Sequence, residues 1–378
     1  MRRPDAIHLV TPVWGTEHIG RFLEFAVPSQ LAPGNLDALA ELAPLEYHIY
    51  TREQDRGTLE REDAIHRLAS HARIQFHQLP SDPTARSAHA AMSDVHADIL
   101  GLARRADAPV VFLAPEMVMS VGSLASVARR LLDGARLILL GGLRVKADVA
   151  GTIRDQFTRD GVIAAPAREL AALSIPHLHP MMDGYFWDSA HPSAWPAVLL
   201  WHVGGEGILG HFFHLHPLVA WPELDATLSG TIDDRFVDDV CSQHSVYVNQ
   251  DSDEMFVITL DDNPAAQQFQ SLSKKPMSPR RVGAWAVRGT GAQHRRQVRL
   301  PIRIHSRDLD DRWQRVEHEA DATVSQIGHW HLILRPVLSP WGRARQAAAG
   351  NPVLRAVYRR TKYRVRATSG RFLSSRGR

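Results

Sequence analysis

The sequence predicts an α/β fold in which a mostly parallel sheet occupies the first 140 residues. Four strand-like runs lie there, at Ile7–Val10, Tyr47–Tyr50, Ile74–His77 and Val110–Leu113. Segments with the apolar spacing of amphipathic helices separate them. Such alternation is typical of parallel sheets whose strands are joined by right-handed crossovers. The loops that follow these strands are therefore expected along one edge of the sheet.

The intervals between the strands carry helical patterns with recognisable starts or stops. Pro28 is expected to end the first helix, because proline lacks the N–H that a helix interior uses. Asn35 and Thr58 have side chains that favour the N-cap position. The predicted helices are Ile19–Ala26, a short helix from Asn35 to near Pro44, Thr58–Ala72 and Ala85–Ala106.

The stretch around Glu116 organises the first half. Val110–Leu113 is continuously apolar, like a strand buried on both faces, and a proline then ends it and leaves Glu116 at its carboxyl end. Ser123 is a good N-cap for a helix over Leu124–Leu132, and Leu137–Leu140 follows as another strand. Because open α/β sheets bind ligands at the carboxyl ends of their strands, Glu116 is a candidate binding residue. The alternative is a solvent-facing carboxylate on a turn.

The pattern changes after about Gly151. Residues 174–222 are rich in Pro, His, Trp and Gly and show little periodicity. Short strands are predicted at Val246–Val248 and Met255–Leu260, and Val298–Ile304 alternates as a half-exposed strand does. The second half is therefore expected to be an irregular α+β region. The predicted organisation is an α/β half over 1–150, an acceptor or catalytic half over 151–262, a linker with a small β excursion over 263–330, and a basic helical tail over 331–378.

The formal net charge of +3 conceals a division between the body and the tail. Residues 331–378 hold 12 of the 44 Lys and Arg and none of the 41 Asp and Glu, so residues 1–330 carry −9. An acidic body disfavours general nucleic-acid binding, and we expect no nucleic-acid partner. The tail is either a solvated basic end or a helix over 351–366 that lies on an anionic membrane surface.

Cysteine usage and hydropathy indicate a compartment. A lone cysteine, Cys241, excludes an internal disulfide framework and fits a reducing environment. The N-terminus lacks the apolar run of a signal peptide, and no stretch approaches the roughly 20 apolar residues of a membrane span. We expect a cytoplasmic protein that associates with the inner face of a membrane if the tail binds lipid.

The loop after the first strand is a candidate nucleotide-binding segment. In Thr11-Pro12-Val-Trp14-Gly15 the glycine allows a ligand to approach the backbone, and the tryptophan can stack on a base. A strand-to-helix turn with a packing tryptophan explains the loop equally well. The sequence contains neither a glycine-rich dinucleotide fingerprint nor a phosphate-binding P-loop.

These features together resemble glycosyltransferases of the GT-A fold. The resemblance covers roughly residues 5–145 and depends on the Thr11–Gly15 loop, the strand–helix alternation and the acid after Val110–Leu113. It implies a Rossmann-like sheet in which Thr11, Pro12, Trp14, Gly15 and Thr51 hold the nucleotide of a sugar donor. It also implies that Glu116 binds the diphosphate through Mn²⁺ or Mg²⁺. The family motif is usually Asp-x-Asp, whereas Leu113–Met117 supplies one acid, which leaves the metal requirement open.

Candidates for catalysis and for a metal lie in the second half. Glu206, flanked by glycines, and the acidic pair Asp233 and Asp234 are candidate bases for an acceptor hydroxyl. For the aspartates, a helix N-terminus is an equally good explanation. His214 and His216, if both lie on one strand, present their rings to one face and are a candidate metal pair, although a structural role is the more common one for such histidines.

The sequence contains one literal Asp-x-Asp, in Asn249-Gln-Asp-Ser-Asp-Glu254. It lies about 100 residues later than the GT-A resemblance places that motif. It is therefore either an Asx turn between two strands or the cation site itself.

The leading hypothesis is a glycosyltransferase that moves a sugar from a nucleotide-sugar donor to a glycan or lipid-linked acceptor. One alternative is a non-catalytic α/β scaffold or degenerate transferase docked by its basic tail. A second alternative is a metal-dependent hydrolase that uses His214 and His216.

Overall fold

A computed structural model describes residues 3–81, 83, 87–224, 232, 236–262 and 272–350. The candidate bases Asp233 and Asp234, and the tail segment 351–366, lie outside the described residues. The chain divides into two compact units. The first comprises Met1–Met277 with Gly291–Asp321, and the second comprises Ser278–Thr290 with Ala322–Arg378.

Fifteen strands are found among the described residues. In chain order they are β1 Ile7–Pro12, β2 Leu45–Thr51, β3 Arg73–Gln78, β4 Val110–Phe112, β5 Met117–Met119, β6 Leu137–Leu140, β7 Leu143–Val145, β8 Thr158–Arg159, β9 Val162–Ile163, β10 Val198–Val203, β11 Gly207–Phe212, β12 His216–Ala220, β13 Val246–Val248, β14 Val257–Leu260 and β15 Ile302–His305.

Helices connect these strands within the same described ranges. The α-helices are α1 Thr16–Arg21, α2 Val27–Gln30, α3 Leu36–Leu42, α4 Glu53–Leu59, α5 Asp63–Ala69, α6 Ala88–Ala106, α7 Ser123–Leu132, α8 Ala150–Phe157, α9 Ala167–Ser174, α10 Phe236–Asp239, α11 Pro279–Gly289, α12 Ala292–Gln297 and α13 Asp311–Gly350. A π-helical turn, Phe22–Ala26, joins α1 to α2.

The central sheet has seven strands in the order β13-β6-β12-β4-β1-β2-β3. All neighbouring pairs are parallel except those of β12, which runs antiparallel to both β4 and β6. The predicted mostly parallel α/β sheet is thus confirmed. A Rossmann-like arrangement is compatible with this topology, and the antiparallel β12 comes from the half that was expected to be irregular.

The strand order reverses next to β1. The chain passes from β1 to β2 and β3 on one side and then returns to place β4 on the other side. Since these four strands are parallel, the loops after Pro12, Thr51, Gln78 and Phe112 leave at one edge, as the sequence predicts. A crevice outside the carboxyl ends of the strands at such a reversal is where open α/β sheets bind ligands.

Alternate residues of β1 face two separate apolar clusters. Val10 joins Tyr50, Phe112 and the buried face of α6 on one side of the sheet. Leu9 joins a second cluster with residues of α3 and α7 on the other side. Burial on both faces explains why β4 is apolar throughout and why every residue of β1, including His8 and Thr11, is buried.

Several helix boundaries differ from the sequence-based expectations. The first helical segment continues through Pro28, which follows a π-helical turn in which the N–H of Val27 bonds Phe22 O, so the proline lies where the α-helical hydrogen-bond pattern is already shifted. Thr58 lies inside α4 and does not start a helix, and a break after Leu59 separates α4 from α5. Gly122, and not Ser123, occupies the N-cap of α7, with φ at +76°.

Two small three-stranded sheets accompany the central sheet: β10-β11-β15 comes from the second half, whereas β5-β14-β7 joins β14 of the second half to two strands of the first. His214 lies in a bend before β12, so the expectation that His214 and His216 share one strand is wrong. The segment expected to be a polar linker contains α11 and α12, and the strand expected at Val298–Ile304 begins only at Ile302.

In the second unit, α11 packs against the later part of α13. Gly283 lies so close to α13 that a Cβ there would fall 2.8 Å from Cβ of Trp330, and the guanidinium of Arg280 lies 5.5 Å from the centre of the Trp330 ring. Among the helices within the described residues, none combines the length and the hydropathy that crossing a bilayer requires.

Candidate functional site

The candidate site lies where the carboxyl ends of β1 and β4 leave the central sheet. Four segments meet there through direct contacts, namely helix α1, the residues after β4, the residues after β7 and the residues after β14. The charged side chains come from α1, from the turn after β4, from Arg144 within β7 and from the residues after β14. The strands are paired in the central sheet or in the sheet β5-β14-β7.

Gly15 starts α1 with a backbone conformation that glycine alone adopts readily. Its φ of 79° and ψ of 148° lie outside the regions open to residues with a Cβ. Its N–H donates to Oδ2 of Asp55 at 3.0 Å, and Arg52 holds the same carboxylate through Nε at 2.6 Å and Nη2 at 3.1 Å. Burial alone would raise the pKa of Asp55, but these donors lower it overall. The loops after β1 and β2 are thus fixed to each other, as the transferase hypothesis requires.

Most of the other residues that were predicted to bind the nucleotide are buried in the protein interior. Thr11 is fully buried, and its hydroxyl is bonded to Tyr47 Oη at 2.9 Å. Pro12 is the last residue of β1 and is paired with Tyr50, while Thr51 is buried. Trp14 is half-buried and packs against the apolar cluster that contains Val10. In this loop Trp14 and Gly15 retain exposed surface, so they are the better candidates for ligand contact.

Glu116 lies in the turn between β4 and β5, and its carboxylate is bonded to Nδ1 of His18 on α1. The Glu116 side chain is 16% exposed and that of His18 is 49% exposed. This hydrogen bond raises the pKa of His18, although partial burial opposes the shift. The shift favours the charged form of His18 beside the Glu116 carboxylate.

The residues after β14 add two aspartates that sequence reasoning missed. Leu260 N donates to Glu116 O at 3.1 Å, and Asp261 N donates to Val145 O at 2.8 Å, so β14 brings its acids beside Glu116. The Asp261 carboxylate is bonded to Arg144 just after the start of β7. The two acids follow the predicted strand Met255–Leu260 in the sequence, but nothing in the sequence shows that this strand pairs with β5.

Arg21 connects α1 to this acidic segment. Its Nη1 donates to Leu260 O at 2.8 Å, and its Nη2 lies 3.0 Å from Glu17 and 3.3 Å from Asp262. Asp262 also accepts a hydrogen bond of 2.9 Å from the backbone N–H of Ala147. Arg21 is the least exposed cation of the cluster, with a side chain 15% exposed.

The described residues around Glu116 do not fit a divalent cation. A cation site needs several oxygen or nitrogen ligands within reach of one point. Among the described residues, two groups of three side chains have donor atoms within 4.8 Å of one another. One group is His8, Glu46 and His48, and the other is Asp251, Asp253 and His305. Neither group includes Glu116, whose carboxylate is already paired with an imidazole.

Glu206, His214 and His216 lie at other places in the first unit. Glu206, between β10 and β11, forms ion pairs with Arg307 at 2.9 Å and with Arg312 at 3.2 Å. The His214 ring stacks on His294 with centroids 4.5 Å apart, and Nδ1 of His216 lies 3.0 Å from the carbonyl oxygen of its neighbour Pro217. The ion pairs of Glu206 link it to the segment that leads into α13.

The Asp-x-Asp sequence between β13 and β14 forms an Asx turn. The N–H of Asp253 donates to Oδ1 of Asp251 at 2.8 Å, which is the hydrogen bond that defines this turn. Nε2 of His305 lies 2.9 Å from Oδ1 of Asp251, and Arg168 binds the Asp253 carboxylate through Nε and Nη2. The predicted turn is therefore observed, while Asp251, Asp253 and His305 also form a group of side chains that could hold a metal ion, so the cation interpretation stays open.

Comparison with known proteins adds little to this geometry. The chain is similar to the apo form of mouse xyloside xylosyltransferase 1, with 13% sequence identity and a TM-score of 0.25. The similarity covers 40% of this chain and 58% of that one, so the chain spans less than two thirds of the length of that structure. No protein-family model matches the chain, and no curated protein is similar to it in sequence.

Proposed function

We propose that this protein is a glycosyltransferase whose nucleotide-sugar donor binds in the crevice outside β1 and β4. The observation that carries the proposal is the convergence of His18, Arg21 and Arg144 at a reversal of strand order. Cations at such an edge suit the pyrophosphate of an activated sugar, and open α/β sheets bind their ligands there.

The acids of the crevice hold these cations in fixed directions. A guanidinium carries five N–H donors in a planar fork, so an arginine bonded to a carboxylate on one side still presents donors to a phosphate on another. Asp262 and Glu17, which pair with Arg21, have side chains 58% and 71% exposed, so a phosphate can replace either of them at little cost. In this proposal the protein's own cations neutralise the diphosphate, and Glu116 orients His18.

In this proposal the nucleobase of the donor lies on one side of the sugar and the acceptor lies on the other. Trp14 offers a ring for the base at the β1 exit, and Gly15 lets the backbone approach it. Transfer requires a base that removes a proton from the acceptor hydroxyl while the bond between the sugar and the phosphate breaks. Asp233 and Asp234 remain the candidates for that base, together with Glu206. A glycan or lipid-linked acceptor remains part of the same proposal, as does attachment to an anionic membrane through 351–366.

Binding of nucleotides tests the proposal directly. Thermal unfolding of the full chain is measured with UDP-, GDP- and CMP-sugars, with and without Mn²⁺. We expect one nucleotide class to raise the melting temperature without Mn²⁺, and we expect Arg21→Gln and Arg144→Gln to abolish the increase. Arg56→Gln is the matched control, because Arg56 forms an exposed pair with Glu60 on α4, away from the crevice contacts. If no nucleotide stabilises the protein under either condition, the proposal is wrong.

The paired state of Glu116 favours a degenerate transferase as the second candidate. The two candidates differ in turnover and not in binding, since a degenerate site keeps the cations that hold a nucleotide. Release of nucleoside diphosphate from the stabilising donor, measured with and without added glycan, separates them. If the enzyme is active, the wild type releases nucleoside diphosphate and Glu116→Ala, which no longer orients His18, lowers the rate of release. If the site is degenerate, no release is seen and Glu116→Ala changes only the binding affinity.

A further inference from the structure

Three imidazoles lie side by side across β1, β2 and β3, away from the crevice. Nδ1 of His8 is 3.0 Å from Nε2 of His48, and Nδ1 of His48 is 2.9 Å from Nε2 of His77. His8 and His48 are buried, with side chains 3% and 0% exposed. Parallel pairing aligns His8 with Glu46 and His48 with Val10, so all these side chains project from the same face of the sheet.

The carboxylate of Glu46 completes a triangle with the first two rings. Oε2 of Glu46 lies 3.5 Å from Nδ1 of His8 and 3.8 Å from Nε2 of His48. With zinc–ligand bonds of about 2.0–2.2 Å, two donors of a tetrahedral site stand about 3.4 Å apart. The three observed separations surround this value. Two imidazoles and one carboxylate are also a donor set that zinc accepts in proteins.

The environment of His8 and His48 suits binding of a cation by one nitrogen of each ring. Both rings are buried, and a neutral imidazole offers a metal the lone pair of one ring nitrogen. If zinc binds Nδ1 of His8 and Nε2 of His48, the proton of His48 is on Nδ1 and is donated to His77. Such a hydrogen bond from the second ring nitrogen is the usual companion of a metal-bound histidine.

Glu46 provides a route from solvent to this cluster. Its side chain is 28% exposed, and it also accepts a hydrogen bond of 3.1 Å from Gln75 on β3. β3 is the edge strand of the sheet, and Gln75 and His77 are only half-buried. A hydrated ion can therefore reach the carboxylate first and exchange its waters for the buried nitrogens.

We propose that His8, Glu46 and His48 bind one zinc ion, with water as the fourth ligand, and that this ion fastens β1 to β2. The site is separate from the crevice and does not depend on the proposed transfer reaction. Its role is structural, since the ion connects neighbouring strands at their amino-terminal halves while the crevice lies at their carboxyl ends.

Zinc titration of the chelator-treated full chain tests the site. Calorimetry with zinc chloride is expected to show one equivalent with submicromolar affinity, and zinc is expected to raise the melting temperature. Cobalt in place of zinc is expected to give the visible absorption bands of a tetrahedral centre. Glu46→Gln keeps the shape of the side chain but removes its charge, and we expect it to weaken zinc binding by about 100-fold or more.

Two further variants separate this site from other zinc-binding residues. His8→Gln, with folding checked by circular dichroism, is expected to weaken binding as Glu46→Gln does. Asp253→Asn alters the other group of three potential ligands and is expected to leave the tight equivalent unchanged. The proposal is overturned if the wild-type chain binds no zinc at micromolar concentration, if Glu46→Gln and His8→Gln bind it as tightly, or if Asp253→Asn removes it.

Discussion

Replacing Gly15 by alanine tests whether the loop after β1 requires the positive φ that glycine adopts there. At φ 79° and ψ 148° a residue with a Cβ is strained by about 1–3 kcal/mol. The added methyl has room, because the nearest heavy atom to a Cβ at this position is Nη2 of Arg52 at 3.8 Å. The expected loss therefore comes from backbone strain and not from a steric clash.

Gly20→Ala is the matched control. Gly20 lies in the interior of the same helix and is exposed, and a Cβ added there would have no heavy atom of a neighbouring residue within 4 Å. Alanine there gains about 0.5–1 kcal/mol from helix propensity. Urea denaturation at 25 °C should place the two variants about 1.5–4 kcal/mol apart in free energy of unfolding, with similar dependence on urea concentration. If Gly15→Ala is as stable as Gly20→Ala, the described geometry of the loop is incorrect.

Three further predictions concern stability. Asn35→Ala should cost about 3 kcal/mol in urea denaturation, because the buried amide bonds two carbonyls and the N–H of Leu124, and a cost below about 1 kcal/mol would contradict those bonds. Burial lowers the pKa of His96 in the folded protein to about 3, whereas the unfolded chain has a pKa of about 6.5. Below pH 6.5 the unfolded chain therefore takes up a proton first, and the free energy of unfolding falls by up to about 1.4 kcal/mol per pH unit. His96→Phe should reduce this pH dependence between pH 6.5 and 3, measured by urea denaturation, and an unchanged slope would argue against a neutral buried ring. Arg168→Met should lower the free energy of unfolding by less than about 1 kcal/mol, because the two ion pairs of the guanidinium are exposed to solvent. If the loss is the same in 1 M salt, the ion pairs are not screened as this reasoning requires.

The central sheet could be predicted because its strands are defined locally. Runs such as Val110–Leu113 are apolar on both faces, and parallel strands joined by helices leave few arrangements open. The position of Glu116 at a strand exit followed from the same pattern. Pro28 shows the limit of such local rules, since the helical segment passes through it directly after a π-helical turn that the apolar spacing does not indicate.

The charged partners of Glu116 could not be predicted, because they depend on pairing between distant segments. Asp261 reaches the crevice only through the pairing of β14 with β5 and β7, across more than a hundred residues. The His8–Glu46–His48 cluster depends on the register between β1 and β2, and a shift of one residue would turn one strand's side chains to the opposite face. Sequence patterns locate strands well, but they carry little information about which residues of two strands stand opposite each other.

A metal at the His8–Glu46–His48 cluster and a metal at Glu116 predict different effects of a chelator. A cation held at Glu116 would touch the nucleotide, so its removal would weaken binding even where the chain is fully folded. Zinc between His8, Glu46 and His48 stabilises the folded state, so its removal lowers the melting temperature but leaves nucleotide affinity unchanged as long as unfolding is negligible. Nucleotide affinity measured with and without EDTA, well below the melting transition, distinguishes these cases. Since Glu116 is paired with His18 and lies outside both groups of potential metal ligands in the described part of the chain, we expect EDTA to change stability and not affinity.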